Sequence, residues 1–195
     1  METALEPGMI GFSNNKKGGF LIRFFTRSNI THSFVLMFPL NGITAVEEAS
    51  ASVQIVPFEP HYTNNPNEDY YLYRIRPEYA SPDAVVKALT RVFEEFAGVK
   101  YGWLQLLWFP YRWFKETILR QKNVHREKNW FTRGVICSEL QYWYLIYLHP
   151  VFTELLKDYD GDTIEPSDLL DVAKANPHIF EFVISKPPAM SKPLK

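Results

Sequence analysis

Apolar positions in the first third of the chain come in short bursts separated by turn residues. "GMIGFS" (8–13) predicts a short strand, and "THSFVLMF" (31–38), rich in β-branched and aromatic residues, predicts another. Between them, 16–28 is a helical turn or loop with an amphipathic end. "LNG" (40–42) is a hairpin signal, after which "ITAVEEAS" (43–50) returns as a strand. "VQIVPF" (53–58) is a further strand ended by Pro57, "HYTNNPNED" (61–69) is turn chemistry, and "YYLYRIR" (70–76) alternates in part as a strand.

The period then changes. Over 81–97, Val85, Leu89, Val92, Phe93 and Phe96 recur at helical spacing, with Ser81 as N-cap, Pro82 at the first helical position and Asp83 in the first turn; Gly98 stops the helix. The stretch 112–133 is polar. "RGVICSELQYWYLIYL" (133–148) turns from a buried run into a helix opening at Cys137 and ending near Leu148, with Pro150 just beyond. "IEPSDLLDVAKANP" (164–177) is a short capped helix, "HIFEFVIS" (178–185) a last strand, and "KPPAMSKPLK" (186–195) a disordered tail. No internal repeat is visible, and strands, then helices, then a strand imply an α+β chain.

Composition narrows this picture. The 195 residues suit a single domain with an insertion at about 112–133, and 46% hydrophobic content supports a real core. A net charge of −1 gives no global case for binding nucleic acid. One cysteine excludes an internal disulfide and a cysteine-rich zinc site. The N-terminus lacks a signal-peptide pattern, and "YGWLQLLWFPYRWF" is broken by Pro110 and Arg112 and is too short to span a bilayer. A cytoplasmic protein is the simplest expectation; export by another route, for example inside a virion, leaves no mark in sequence.

Candidate chemistry centres on Cys137. A buried cysteine is ordinarily packing material. At the first position of a helix, however, its sulfur feels the positive end of the dipole, and its own N–H is free to hold an oxyanion. A nucleophile needs a base. Among five histidines, His61 and His125 lie in polar surroundings, His149 falls at the far end of the cysteine helix, and His178 starts the last strand. His32 opens a strand inside an apolar run, where an unpartnered imidazole is costly, so it is the best candidate. An orienting acid could be Glu47 or Glu48, which alternate faces on the partner strand. A two-residue loop pairing Leu40 with Ile43 puts Glu47 on the His32 face; a three-residue loop with a bulge puts Glu48 there. Spacing alone leaves both open.

Three further signals are weaker. "DYDGDTIEPSD" (158–168) fails EF-hand spacing, with Thr163 and Leu169 at key positions, so an acidic turn is expected and no metal. The 112–133 segment has seven basic against two acidic residues, a local charge of +5; it is a solvated helix face or a grip for an anionic surface. Trp103, Trp108, Phe109, Tyr111, Trp113 and Phe114 are core beneath that segment or the lining of an acyl or peptide groove.

"THSFVLM", "VEEAS" before "VQIVPF", "GVKYGW", "VICSEL" and "EPSDLL" resemble, in that order, the YiiX/YebB-like branch of the NlpC-type cysteine peptidases, over about residues 8–184. The resemblance implies a circularly permuted papain-like fold, an antiparallel sheet or partial barrel packed against the cysteine helix. It implies Cys137 as nucleophile, His32 as base and Glu48 as the acid, with Tyr101 beside the nucleophile. Substrate or oxyanion contacts are assigned to Tyr101, Trp103 and Ser138. The chain departs from ordinary NlpC enzymes at Ile136 and Glu139, and "GMI" lacks the acidic residue often found after that glycine. The implied activity is thiol hydrolysis of an amide in a peptide or peptidoglycan stem, without a cofactor. Alternatives are a lipid or lipoprotein acyl hydrolase or acyltransferase on the same site, with peripheral contact through 112–133, and a non-catalytic binding or structural protein.

Overall fold

The computed structural model describes residues 5–17, 20–124, 127 and 134–186. His125, most of the stretch 125–133 and the tail beyond residue 186 lie outside them.

The chain runs β1 (Ile10–Asn15), α1 (Phe20–Thr26), β2 (His32–Leu36), β3 (Ala45–Ala49), β4 (Val53–Pro57), a π-helical turn (Glu59–Thr63), β5 (Glu68–Ile75) and α2 (Pro82–Phe96). A 3-10 turn (Gln105–Leu107) leads into α3 (Trp108–Thr117), followed by α4 (Cys137–Leu148), α5 (Pro150–Leu155), α6 (Pro166–Ala175) and β6 (Phe180–Lys186). The strands form one antiparallel sheet in the order β4-β3-β2-β1-β5-β6. The architecture is α+β, as the pattern predicts.

Alternation along the strands builds two cores, one on each face. Ile10, Phe12, Val35 and Tyr73 pack with Val85 and Leu89 of α2 and with Leu140 and Tyr144 of α4. Phe34, Leu36, Val46 and Leu72 pack on the other face with Phe58 and Tyr62 of the π-helical turn. Gly11, opposite Phe34, is needed because a Cβ there would stand 2.1 Å from the Phe34 ring. α4 is buried nearly all round, with Ser138, Glu139 and Gln141 enclosed beside Leu140, Tyr144 and Leu145. That explains why its sequence shows no clean polar face.

Several expectations need correction. In α2 the buried side chains are Val85, Ala88, Leu89 and Val92, while Phe93 is 37% exposed. The "HYTNNPNED" turn region begins with a π-helical turn that buries Tyr62. Pro150 opens α5, capped by His149 Nδ1, which accepts from the Val151 N–H at 3.1 Å. His178 precedes the last strand, which begins at Phe180.

The polar reading of 112 onward also changes. α3 carries Arg112 inward against three acids: Glu116 at 3.0 Å, Glu165 at 3.2 Å and Asp168 at 2.9 Å. Burial works against its charge, but these carboxylates outweigh that and hold the guanidinium firmly ionised. Asp168 also closes a capping box with Glu165 at the start of α6, so Arg112 ties α3 to that helix. Arg112→Ala leaves Glu165 and Asp168 without their cation and is expected to cost about 3–5 kcal/mol in chemical denaturation. A loss under about 1 kcal/mol would mean the cluster is screened by solvent.

Candidate active site

The head of α4 is set by backbone geometry. Ile136 is its extended N-cap, with no side-chain cap, and Leu140 N–H bonds the Ile136 carbonyl at 3.1 Å. Cys137 is therefore the first helical residue. The Glu139 carboxyl accepts from the Ile136 N–H, and Gln105 Nε2 donates to Glu139 Oε2 at 3.1 Å. Burial pushes the Glu139 carboxyl up to about 8, and Asp162 beside it adds to the shift. These contacts clip the 105–107 turn to the helix head. Just before that turn, Tyr101 bridges Val135 in parallel, with Gly102 N–H to the Val135 carbonyl at 3.0 Å. Tyr101 is thereby delivered to the cysteine.

His32 begins β2, opposite Ser13 of β1. Its Nε2 lies 3.3 Å from Glu48 Oε2, and its imidazole interacts with the Cys137 sulfur. The Tyr62 hydroxyl donates to the same Glu48 oxygen. The Tyr101 hydroxyl and the backbone N–H groups of Ser33 and Ser138 also reach the sulfur. Burial disfavours a charged imidazole, yet the sulfur and Glu48 together hold His32 well above the ordinary histidine range. Burial likewise disfavours a thiolate, but His32 and the two N–H donors hold Cys137 below the ordinary thiol range. Burial would raise Glu48, and His32, Tyr62 and His61 outweigh it and bring it down to about 2. Burial and the nearby sulfur keep the Tyr101 hydroxyl protonated. The three directions agree on a thiolate–imidazolium pair backed by a carboxylate.

The hairpin geometry differs from both alternatives drawn from spacing. The loop is two residues, Asn41 and Gly42, both at positive φ, with Leu40 paired to Ile43. Yet Met37 N–H bonds the Ala45 carbonyl, and Val35 pairs with Glu47. Phe38 and Pro39 therefore oppose Thr44 alone, a one-residue bulge in the first arm. The bulge turns Glu47 to the Val35 face and Glu48 to the face of His32 and Phe34.

A groove of ≈ 600 Å³ runs past His32, Glu48, His61, Tyr62 and Tyr101, with Trp103, 66% exposed, at its rim. The Tyr101 and Trp103 rings are 4.8 Å apart. Cys137 is 3% exposed and lines a smaller apolar slot. Ile22, Thr31, Tyr101 and Leu106 line both spaces, so the sulfur sits one side-chain layer behind the groove.

No protein-family model matches the chain, and no curated protein matches it. Among solved structures, the metalloprotein YiiX of Escherichia coli O157:H7 matches at a TM-score of 0.53, covering 94% of this chain and 98% of its own. The chain has a YiiX-like fold. At 15% identity the likeness concerns the fold alone. Within that YiiX-like fold, Cys137, His32, Glu48 and Tyr101 are brought together, and Trp103 stands at the groove mouth. The Ser138 hydroxyl is committed to the Ile164 carbonyl at 2.6 Å, so only its N–H faces the sulfur.

Tyr62 and Glu68 were not legible in the sequence, and His61, exposed as its polar surroundings predict, lines the groove beside them. Tyr62 and His61 come from the stretch that reads as simple turns. Glu68 is buried and takes the Asn15 amide; its carboxyl interacts with His32.

Proposed function

We propose that the protein is a thiol-dependent hydrolase acting through an acyl-enzyme on Cys137. The observation that carries this reading is the sulfur and imidazole acting on one another, with the ring hydrogen-bonded to Glu48 and that acid to Tyr62. His32 takes the Cys137 proton and the thiolate adds to an amide carbonyl. The resulting oxyanion is held by donors already gathered around the sulfur, namely the Tyr101 hydroxyl and the N–H groups of Ser33 or Ser138. The imidazolium then gives its proton to the leaving amine as the C–N bond breaks. Water, deprotonated by the same imidazole, cleaves the thioester, releasing a carboxylic acid and restoring the thiolate–imidazolium pair.

The histidine strand preceding the cysteine helix supports a permuted, papain-like arrangement of NlpC type, with the chain as one catalytic domain. The word metalloprotein belongs to YiiX. Here, among the described residues, no three His, Cys, Asp or Glu side chains gather as a ligand set, so the donors do not fit a metal and no step uses one. The favoured substrate is an amide in a peptide or peptidoglycan stem. A second reading, an acyl-lipid substrate, is favoured by the apolar residues Trp103 and Leu106 along the groove.

Incubation with muropeptides and, separately, with phospholipids, read by mass spectrometry, tests this. Product is expected from one class and none from Cys137→Ala. Product formation surviving in that variant, or none from the wild type with either class, overturns the hydrolase reading.

A further inference from the structure

α3 carries apolar side chains on an outer face as well as an inner one. Trp108 and Phe109 point inward and are buried with Val124 and Ile136. Leu104, Leu107, Tyr111, Phe114 and Ile118 point outward, each between 39% and 55% exposed. They recur every three or four residues along the 3-10 turn, the helix and its C-cap, so they form one continuous row. A helix on a solvated surface keeps that face polar. Isolated exposed apolar side chains need no explanation, but a contiguous row marks a contact surface.

We propose that this outer face of α3 docks on an anionic phospholipid bilayer. Three features choose a bilayer. Tyr111 within the row and Trp103 at its end are side chains with an apolar body and a polar tip, the type that settles at the headgroup boundary. The charges beside the row are cationic. Arg120 and Lys122 follow Ile118, are exposed, and make no ion pair among the described residues. The acids of this region are already engaged, Glu116 with Arg112 and Glu127 with Lys115. Finally, α3 is a ten-residue helix, and no described helix is long and apolar enough to cross a membrane, so the face suits a helix lying in the interface plane. Trp103 belongs both to the row's end and to the rim of the groove, so docking sets the groove mouth against the lipid surface. In the sequence the basic excess of 112–133 offers a grip for an anionic surface, although Arg112 is turned inward against its acids. The apolar face supplies the depth, and only the fold reveals it.

Docking requires no turnover, so it stands apart from the hydrolase reading, and Cys137→Ala is expected to bind vesicles as the wild type does. The full chain is floated with phosphatidylcholine vesicles, with and without phosphatidylglycerol. Binding is expected with phosphatidylglycerol, weaker without it and weaker in high salt. The double variant Leu107→Ser, Phe114→Ser is expected to lose affinity by about tenfold or more, because both side chains leave the apolar layer. Circular dichroism should stay unchanged, since both side chains are substantially exposed. A second measurement needs no disrupted fold: acyl-brominated lipids are expected to quench wild-type tryptophan fluorescence, and less so in Trp103→Phe. Absence of wild-type binding, equal binding by the double variant, or no quenching overturns the proposal. Lipid-independent dimers that fall apart in the double variant overturn it too, and make a second copy of the chain the occupant.

Discussion

Replacement of His32 by alanine is expected to raise the Cys137 thiol out of its lowered range, to that of a free thiol or above, and to lower hydrolysis by about 10²–10⁴-fold. In the wild type, the imidazole and two backbone N–H groups hold the thiol below its ordinary range against the cost of burial. Removal of the imidazole leaves burial as the dominant influence, which favours the neutral thiol. Wild-type sulfur is therefore expected to be alkylated by iodoacetamide at pH values where an ordinary thiol is inert, and the variant is not. Rates followed across pH by mass spectrometry read this directly. Glu48→Gln should move the profile the same way by less, since that acid acts through the ring. Identical profiles for wild type and His32→Ala would remove His32 from the site.

The second large effect concerns the neighbouring glutamate. Glu47 is 1% exposed, and neither carboxylate oxygen accepts a hydrogen bond among the described residues. Burial pushes its carboxyl up to about 8. Its folded value lies above the unfolded value of about 4.3. The native state therefore binds the proton more tightly than the unfolded chain. Stability is complete below the unfolded value and is lost as pH rises through about 8. Glu47→Gln keeps the shape of the protonated acid and cannot ionise. At pH 9 it is expected to be more stable than the wild type by about 2–4 kcal/mol, raising Tm by roughly 5–10 °C, with the two proteins nearly coincident only at about pH 4 and below. Other raised acids, such as Glu68 and Glu139, are common to both proteins and cancel in the difference. Superimposable melting curves at pH 9 would show that Glu47 is hydrated in solution.

Most of the strands and the main helices were legible because each obeys one period, two along β2 and β5 and about 3.6 along α2. The start of α4 was legible because the run ahead of Cys137 has strand character and the residues after it are helix formers. What escaped depends on long-range packing. Arg112 looks like one member of a basic run, and its burial is set by Glu165 and Asp168, more than fifty residues away. Phe93 has the spacing of a core residue, but α4 covers α2 along the line of Val85, Leu89 and Val92. Tyr62 lies in a stretch of turn formers, and only the π-helical turn lifts it over Phe34, ring centroids 4.2 Å apart, toward Glu48. For the site itself, the cysteine and the histidine were candidates on their own chemistry, whereas the acid rested on the resemblance.

The extra residue at Phe38–Pro39 has a consequence for reading related chains. Side chains on a strand have a parity, odd to one face and even to the other, and the insertion flips it between the tip of the hairpin and its base. Counting back from the loop thus nominates the wrong glutamate, while counting across the ladder nominates the right one. Excision of Pro39 would make the two arms equal in length from Met37 to the tip and leave the His32–Glu48 partnership in register. A hairpin of the present length laid flat would instead trade the two acids, putting a carboxylate that now has no partner among the described residues against the ring and entombing the other.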